Sequence, residues 1–135
     1  TGNPDCHLVL RGGKQGTNYH REAIEEASAA LVKDGLPARV MVDCSHGNSN
    51  KDYRRQGEVA AQVADQLRAG SRDVMGVMLE SHLVAGNQKI SPDRAALTYG
   101  QSITDACIDL DATREVLAGL ADAVAAAQSA SAVAV

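Results

Sequence analysis

The chain has 135 residues, a formal net charge of −4, 44% apolar and 22% charged side chains, and three Tyr in place of any Phe or Trp. That length allows one domain at most, and the negative charge and scarcity of stacking rings argue against a nucleic-acid partner. The longest apolar run is far short of a membrane span, no secretory leader opens the chain, and three cysteines (Cys6, Cys44, Cys107) without C-x-x-C spacing fit a reducing compartment, the cytoplasm, better than a disulfide framework.

The opening Thr1 and the abrupt TGNPDC string suggest that the chain begins inside a longer protein. His7-Leu8-Val9-Leu10 predicts a short buried strand, which ends at Arg11-Gly12-Gly13-Lys14. A helix follows, with Ile24, Ala27 and Leu31 on one face, and Gly35 and Pro37 stop it. Arg39–Asp43 predicts a second strand, leading into a loop of small and polar residues from Cys44 to Lys51. Val59, Val63 and Leu67 mark a second helix, ended by Gly70. Val74–Leu79 predicts a third strand, ending at Glu80.

Residues 81–100 lack helical periodicity, and Ser102–Ile108 is strand-like. A parallel crossover normally needs a helix, so 81–110 is read as one long functional loop after the last strand. The final helix is expected from about Asp111 to Gln128, with Leu117, Leu120, Ala121 and Val124 on one face. An Ala/Ser/Val tail, 129–135, is expected to fray.

Strand–helix alternation predicts an α/β fold with a parallel sheet. Arg11, His46 and Glu80 each sit at a strand's C-terminal end, 35 and 34 residues apart, or about one βα unit. That is the geometry of a (β/α)-barrel active face. A full barrel needs roughly 250 residues, so three units are a part of one.

His46, Glu80 and Asp105 form a set of one imidazole and two carboxylates, which suits a divalent transition metal. Read residue by residue, His46 is equally a hydrogen-bonding loop residue. Cys44, two positions before His46, is either a fourth ligand or a small buried residue, and the second reading is preferred. Arg11, followed by two Gly, is either an anion contact or a structural cap on the barrel rim. Lys51, Arg54 and Arg55 read as a solvated helix start, and His7, His20 and His82 as structural or exposed residues.

The strings His7-Leu-Val-Leu-Arg-Gly-Gly-Lys14, Met41-Val-Asp-Cys-Ser-His-Gly-Asn-Ser-Asn-Lys51, Gly76-Val-Met-Leu-Glu-Ser-His82, Gly86-Asn-Gln88 and Tyr99-Gly-Gln-Ser-Ile-Thr-Asp-Ala-Cys-Ile108 occur in this order. Together they closely resemble the C-terminal portion of class I 3-deoxy-D-arabino-heptulosonate 7-phosphate (DAHP) synthase, of the microbial feedback-regulated type. The match runs from residue 3 to about 125, and the Ala-rich tail carries none of it.

The resemblance implies the sixth to eighth βα units of a (β/α)8 TIM barrel, with residues 1–128 as a partial catalytic domain and Asp105 in the loop after strand eight. It implies condensation of phosphoenolpyruvate with erythrose 4-phosphate and water, releasing phosphate, as the first step of the shikimate pathway. His46, Glu80 and Asp105 fall on three of the family's four metal ligands, with His46 and Asp105 also catalytic, and Arg11 falls on an arginine that grips the phosphate of phosphoenolpyruvate. The fourth ligand, a Cys near the first barrel strand, is not in this chain, and Cys44 does not replace it. Mn, Fe, Co and Zn all tolerate such a ligand set, and a homo-oligomeric parent is implied. A related barrel synthase for an eight-carbon sugar acid phosphate is the alternative, against which the GNSNK and SITDACI strings argue. An inactive fragment is the other.

Overall fold

The computed structural model describes residue 3 and residues 5–133. Three parallel strands form the main sheet: β1 (Leu8–Leu10), β2 (Val40–Asp43) and β3 (Val74–Met78), in that spatial order. Leu8 pairs with Val40 and Leu10 with Val42, while Val40 pairs with Val74 and Asp43 with Met78. Helices α1 (Arg21–Lys33) and α2 (Gln56–Arg68) make the two crossovers.

The branched side chains of the strands and one stripe of each helix supply the core. Val40, Val42 and Cys44 alternate along β2 and its end, and they meet Ile24 of α1 and Val59, Ala60 and Val63 of α2. Ala27, Leu31 and Leu67 pack against this cluster. These are the positions that the helical spacing selects. Both helices then stop in the same way. At the end of α1, Gly35 adopts φ +74°, Gly35 N–H donates to Val32 O and Leu36 N–H to Leu31 O. Gly70 closes α2 by the matching pair of bonds. This six-residue C-cap needs a left-handed residue that only Gly adopts without penalty, and it returns the chain to the sheet.

Residues 81–109 differ from the expected loop. They contain a second small parallel sheet, β4 (Val84–Asn87) with β5 (Gln101–Ser102). Side-chain amides hold it. Gln88 exchanges bonds with Thr98, through Oε1 at 2.8 Å and Nε2 at 2.7 Å. Gln101 Nε2 donates to Ala85 O at 2.7 Å and Asn87 Nδ2 to Thr104 O at 2.7 Å. The strand expected over Ser102–Ile108 is confined to β5 and to isolated bridges at Cys107 and Ile108. Ile108 bridges Ser81 in parallel, just beyond the end of β3.

The last helix, α3 (Leu110–Val133), packs on α2 and outruns its expected end at Gln128. Ala is the best helix former, so the Ala-rich segment extends the helix where fraying was expected. Residues 134 and 135 of the expected tail, and 1, 2 and 4 of the expected domain, lie outside the described residues. Among the described residues, no strand pairs with the outer edge of β1. Leu8, Met75 and Met78 are 38–49% exposed, an apolar surface that a closed barrel would cover. No helix among the described residues is long and apolar enough to cross a membrane.

Candidate metal and substrate site

A cavity of about 500 Å³ opens at the C-terminal ends of the strands, bordered by Arg11, Gly12, His46, Lys51, Glu80 and Asp105. Parallel register brings these residues together. With β1, β2 and β3 side by side, residues that leave each strand at its C-terminal end share one rim. Arg11 leaves β1, the Ser45–Lys51 loop leaves β2 and Glu80 leaves β3.

The β2 loop is built on a buried polar hub. Asn48, 0% exposed, donates from Nδ2 to Leu10 O at 3.0 Å and to Asp43 O at 2.8 Å. Its Oδ1 accepts from Asn18 N–H at 2.9 Å, and Asn18 Oδ1 accepts from Gly12 N–H at 2.7 Å. One side chain thus ties the ends of β1 and β2 to the segment ahead of α1. Gly47 N–H donates to Arg11 O at 3.0 Å, and His46 is held at φ +40°. Left-handed non-glycine residues are uncommon and cluster where function demands them.

Asp43 orients the imidazole. It is 1% exposed, and its Oδ2 lies 2.8 Å from His46 Nδ1. Its Oδ1 accepts from Ser45 N–H at 2.8 Å, and Arg11 Nε approaches Oδ2 to 3.8 Å. With Nδ1–H donating to this carboxylate, a neutral ring keeps Nε2 unprotonated, its lone pair available to a cation. Nε2 is 3.5 Å from Glu80 Oε1, and Ser45 Oγ donates to the other Glu80 oxygen. Asp105 completes the group, with one ligand atom from each of the three residues lying within 4.8 Å of the others. First-shell bonds of about 2.0–2.2 Å place neighbouring donors roughly 3–4 Å apart, so small side-chain adjustments let the three grip one ion. Their chemistry, one imidazole and two carboxylates, fits a divalent transition metal.

The other sequence candidates fall outside this group. Cys44 is fully buried in the core. Burial, aided by the charge of Asp43, pushes its thiol up to about 12, which keeps it protonated and non-nucleophilic at neutral pH. In folded protein at pH 8, iodoacetamide is expected to alkylate exposed Cys6 and spare Cys44, as read by peptide mass spectrometry. An alkylated Cys44 in folded protein would contradict its placement. The raised value also gives a direction. The neutral thiol's contribution to stability is complete below the ordinary value of 9.0. It falls as pH rises from there towards 12, because the unfolded chain releases its proton first.

His7, His20 and His82 are exposed. Of the basic trio before α2, Arg54 pairs with Asp52 and Arg55 with Glu58, whereas Lys51 borders the cavity. Sequence reasoning read Lys51 as part of a solvated helix start and passed over Asp43 and Ser45. A charged residue closing the apolar run Val40-Met41-Val42 was the available signal for Asp43.

Comparison with known proteins bears directly on this geometry. Residues 1–118 match the model of the DAHP synthetase I family. The chain belongs to that family. A phospho-2-dehydro-3-deoxyheptonate aldolase of Alternaria alternata is 53% identical over 92% of this chain and 33% of its own length. The Phe-sensitive enzyme of that name from Escherichia coli K12 is 48% identical over 92% of this chain and 35% of its own. A solved aldolase of the same name from Francisella tularensis superposes with a TM-score of 0.87 at 46% identity, covering 93% of this chain and 36% of that one. The chain therefore spans about a third of the length of these DAHP synthase relatives, and its α/β architecture fits a piece of their barrel.

Proposed function

We propose that the chain supplies part of the active site of a DAHP synthase. In this reading a protein containing it condenses phosphoenolpyruvate with erythrose 4-phosphate and water, releasing phosphate, as the entry step to aromatic amino acids. The observation that carries the reading is the convergence of His46, Glu80 and Asp105 within 4.8 Å, at a cavity bordered by Arg11, in a member of this family. The relatives cited are named for a seven-carbon acid, which supports this product over the eight-carbon alternative. The open β1 edge is where adjoining barrel strands would pair. The parallel bridge of Ile108 to Ser81 supports a fourth barrel position in this piece beside the three expected from sequence.

The residues divide the work. His46, Glu80 and Asp105 hold a divalent cation, which when bound supplies Lewis-acid polarisation of an aldehyde oxygen. Asp43 keeps Nε2 of His46 turned to that position. Arg11, its side chain 58% exposed, binds the phosphate of phosphoenolpyruvate as a fork of donors. Lys51 adds a second positive charge for the paired anions. Holding both substrates in one cavity aligns C3 of phosphoenolpyruvate with the aldehyde carbon, so the bond forms from an oriented pair. Water then adds at C2 and phosphate leaves.

The test is phosphate release from the two substrates by the full-length protein, with and without chelator. Turnover that depends on both substrates and is lost with chelator is expected. Arg11→Lys should raise the KM for phosphoenolpyruvate by about 10- to 100-fold, the loss of one charge-assisted bond of about 1.5–3 kcal/mol. No phosphate release, or an unchanged KM in Arg11→Lys, overturns the respective assignment.

A further inference from the structure

We propose that Gln56 is a positioning residue for the cation site, its side-chain amide clamping the backbone of Glu80 and thereby registering both acidic ligand segments against His46. The inference rests on the metal reading above and extends it to a residue that touches neither cation nor substrate.

The need for a clamp follows from the sheet. Pairing between β2 and β3 ends at Asp43 and Met78, and the last rung is the bond from Cys44 N–H to Met78 O at 2.9 Å. Beyond it β2 turns into the His46 loop, so β2 offers the Glu80 peptide no further rung. Gln56, the first residue of α2, fills that place. Glu80 N–H donates to Gln56 Oε1 at 2.8 Å, and Gln56 Nε2 donates to Glu80 O at 3.0 Å. A primary amide offers a donor and an acceptor as a peptide does, so it stands in for one more rung. Gln56 is 0% exposed, and water does not compete for these bonds.

The same Glu80 carbonyl also accepts from Ile108 N–H at 3.0 Å, and His82 N–H donates to Ile108 O at 3.0 Å. Ile108 follows Asp105 by three residues. One carbonyl oxygen therefore joins the Glu80 segment to the Asp105 segment, and Gln56 fixes that oxygen. Its helix is seated by Val59 and Val63 in the core, so the clamp is anchored to the packed interior of the fold. Metal sites tolerate displacements of only about 0.5 Å, and loss of an outer partner typically costs about 10- to 100-fold in metal affinity.

The experiment uses the full-length protein with Co²⁺ as probe, titrated against a competing chelator while its ligand-field absorption is followed. Gln56→Met keeps length and removes both bonds. It is expected to weaken Co²⁺ binding by about 10- to 100-fold and to change the spectrum. Gln66→Met is the control: Gln66 lies on the same helix, is 8% exposed and donates to Tyr19 O at 2.9 Å, away from the cavity. It should lose stability with affinity and spectrum unchanged. Gln56→Asn, one methylene short of spanning both bonds, covers the case in which Gln56→Met does not fold, and its expected loss is intermediate. Unsubstituted affinity and spectrum in either folded Gln56 variant overturn the inference alone. Absence of Co²⁺ uptake by the unsubstituted protein overturns the metal reading and the inference with it.

Discussion

Glu80→Gln and His46→Ala in the full-length protein are expected to lose both bound metal and turnover. Glu80→Gln is the cleaner of the two. The amide keeps the volume of the side chain and an oxygen to accept from Ser45 Oγ, so folding should be preserved while a negative donor is lost. Outer-partner losses cost about 10- to 100-fold in metal affinity, so removal of a donor itself should exceed about 100-fold. His46→Ala removes the proposed imidazole ligand and also strips Oδ2 of the buried Asp43 carboxylate of its hydrogen bond at 2.8 Å, leaving Oδ1 its bond from Ser45 N–H. Leaving a buried acceptor unmatched costs about 1–3 kcal/mol, so this variant should also melt lower. Metal content after dialysis, phosphate release and thermal unfolding separate the two effects. Normal metal content and turnover in both variants would remove the physical basis of the assignment.

How far the sequence anticipates this site depends on which interactions place each residue. β1, β2, β3, α1 and α2 are legible because their placement is apolar. Val40 and Val42 alternate, Val59 and Val63 repeat at helical spacing, and Gly35 and Gly70 stop the helices. Once three parallel strands are inferred, Arg11, His46 and Glu80 share a rim by topology alone. Asp105 is different. It reaches the group through the bridges at Cys107 and Ile108; its residue type made it a candidate, but no strand end placed it on the rim, and the likeness of its surrounding string to DAHP synthase supplied that placement. The β4–β5 pair escaped because Gln88, Gln101 and Asn87 hold it through side-chain amides, which leave no hydrophobic period to read. Gln56 escaped for a related reason. A glutamine in a first helical turn reads as solvated, and its partner is 24 residues away. The extension of α3 to Val133 was missed because an Ala-rich run has no polar face to contrast with an apolar one, although its intrinsic propensity is high.

Gly12→Ala is expected to lower stability and to separate Arg11 from the His46 loop, whereas Gly119→Ala is expected to do neither. Gly12 sits at φ +77°, and a Cβ there would lie 2.6 Å from Gly47 C, 2.7 Å from Gly47 Cα and 2.9 Å from Asn48 N. All three are backbone atoms, so no side chain can rotate away. Reciprocally, a Cβ on Gly47 would meet Arg11 O at 2.8 Å. The two loops touch backbone to backbone because both residues are glycine, and this contact sets the distance between the guanidinium and the imidazole. The left-handed conformation costs an L-residue about 1–2 kcal/mol, and overpacking adds about 1–3 kcal/mol. A loss of about 2–5 kcal/mol is therefore expected, with a higher KM for phosphoenolpyruvate as Arg11 shifts. Gly119 lies inside α3 with nothing within 4 Å of its absent Cβ. Alanine there should raise stability by about 0.5–1 kcal/mol and leave KM unchanged. Urea unfolding and substrate titration of the two variants make the comparison. Equal stability and equal KM in Gly12→Ala and the parent would show that the loops accommodate a methyl group, and that their backbone contact does not set the spacing of the site.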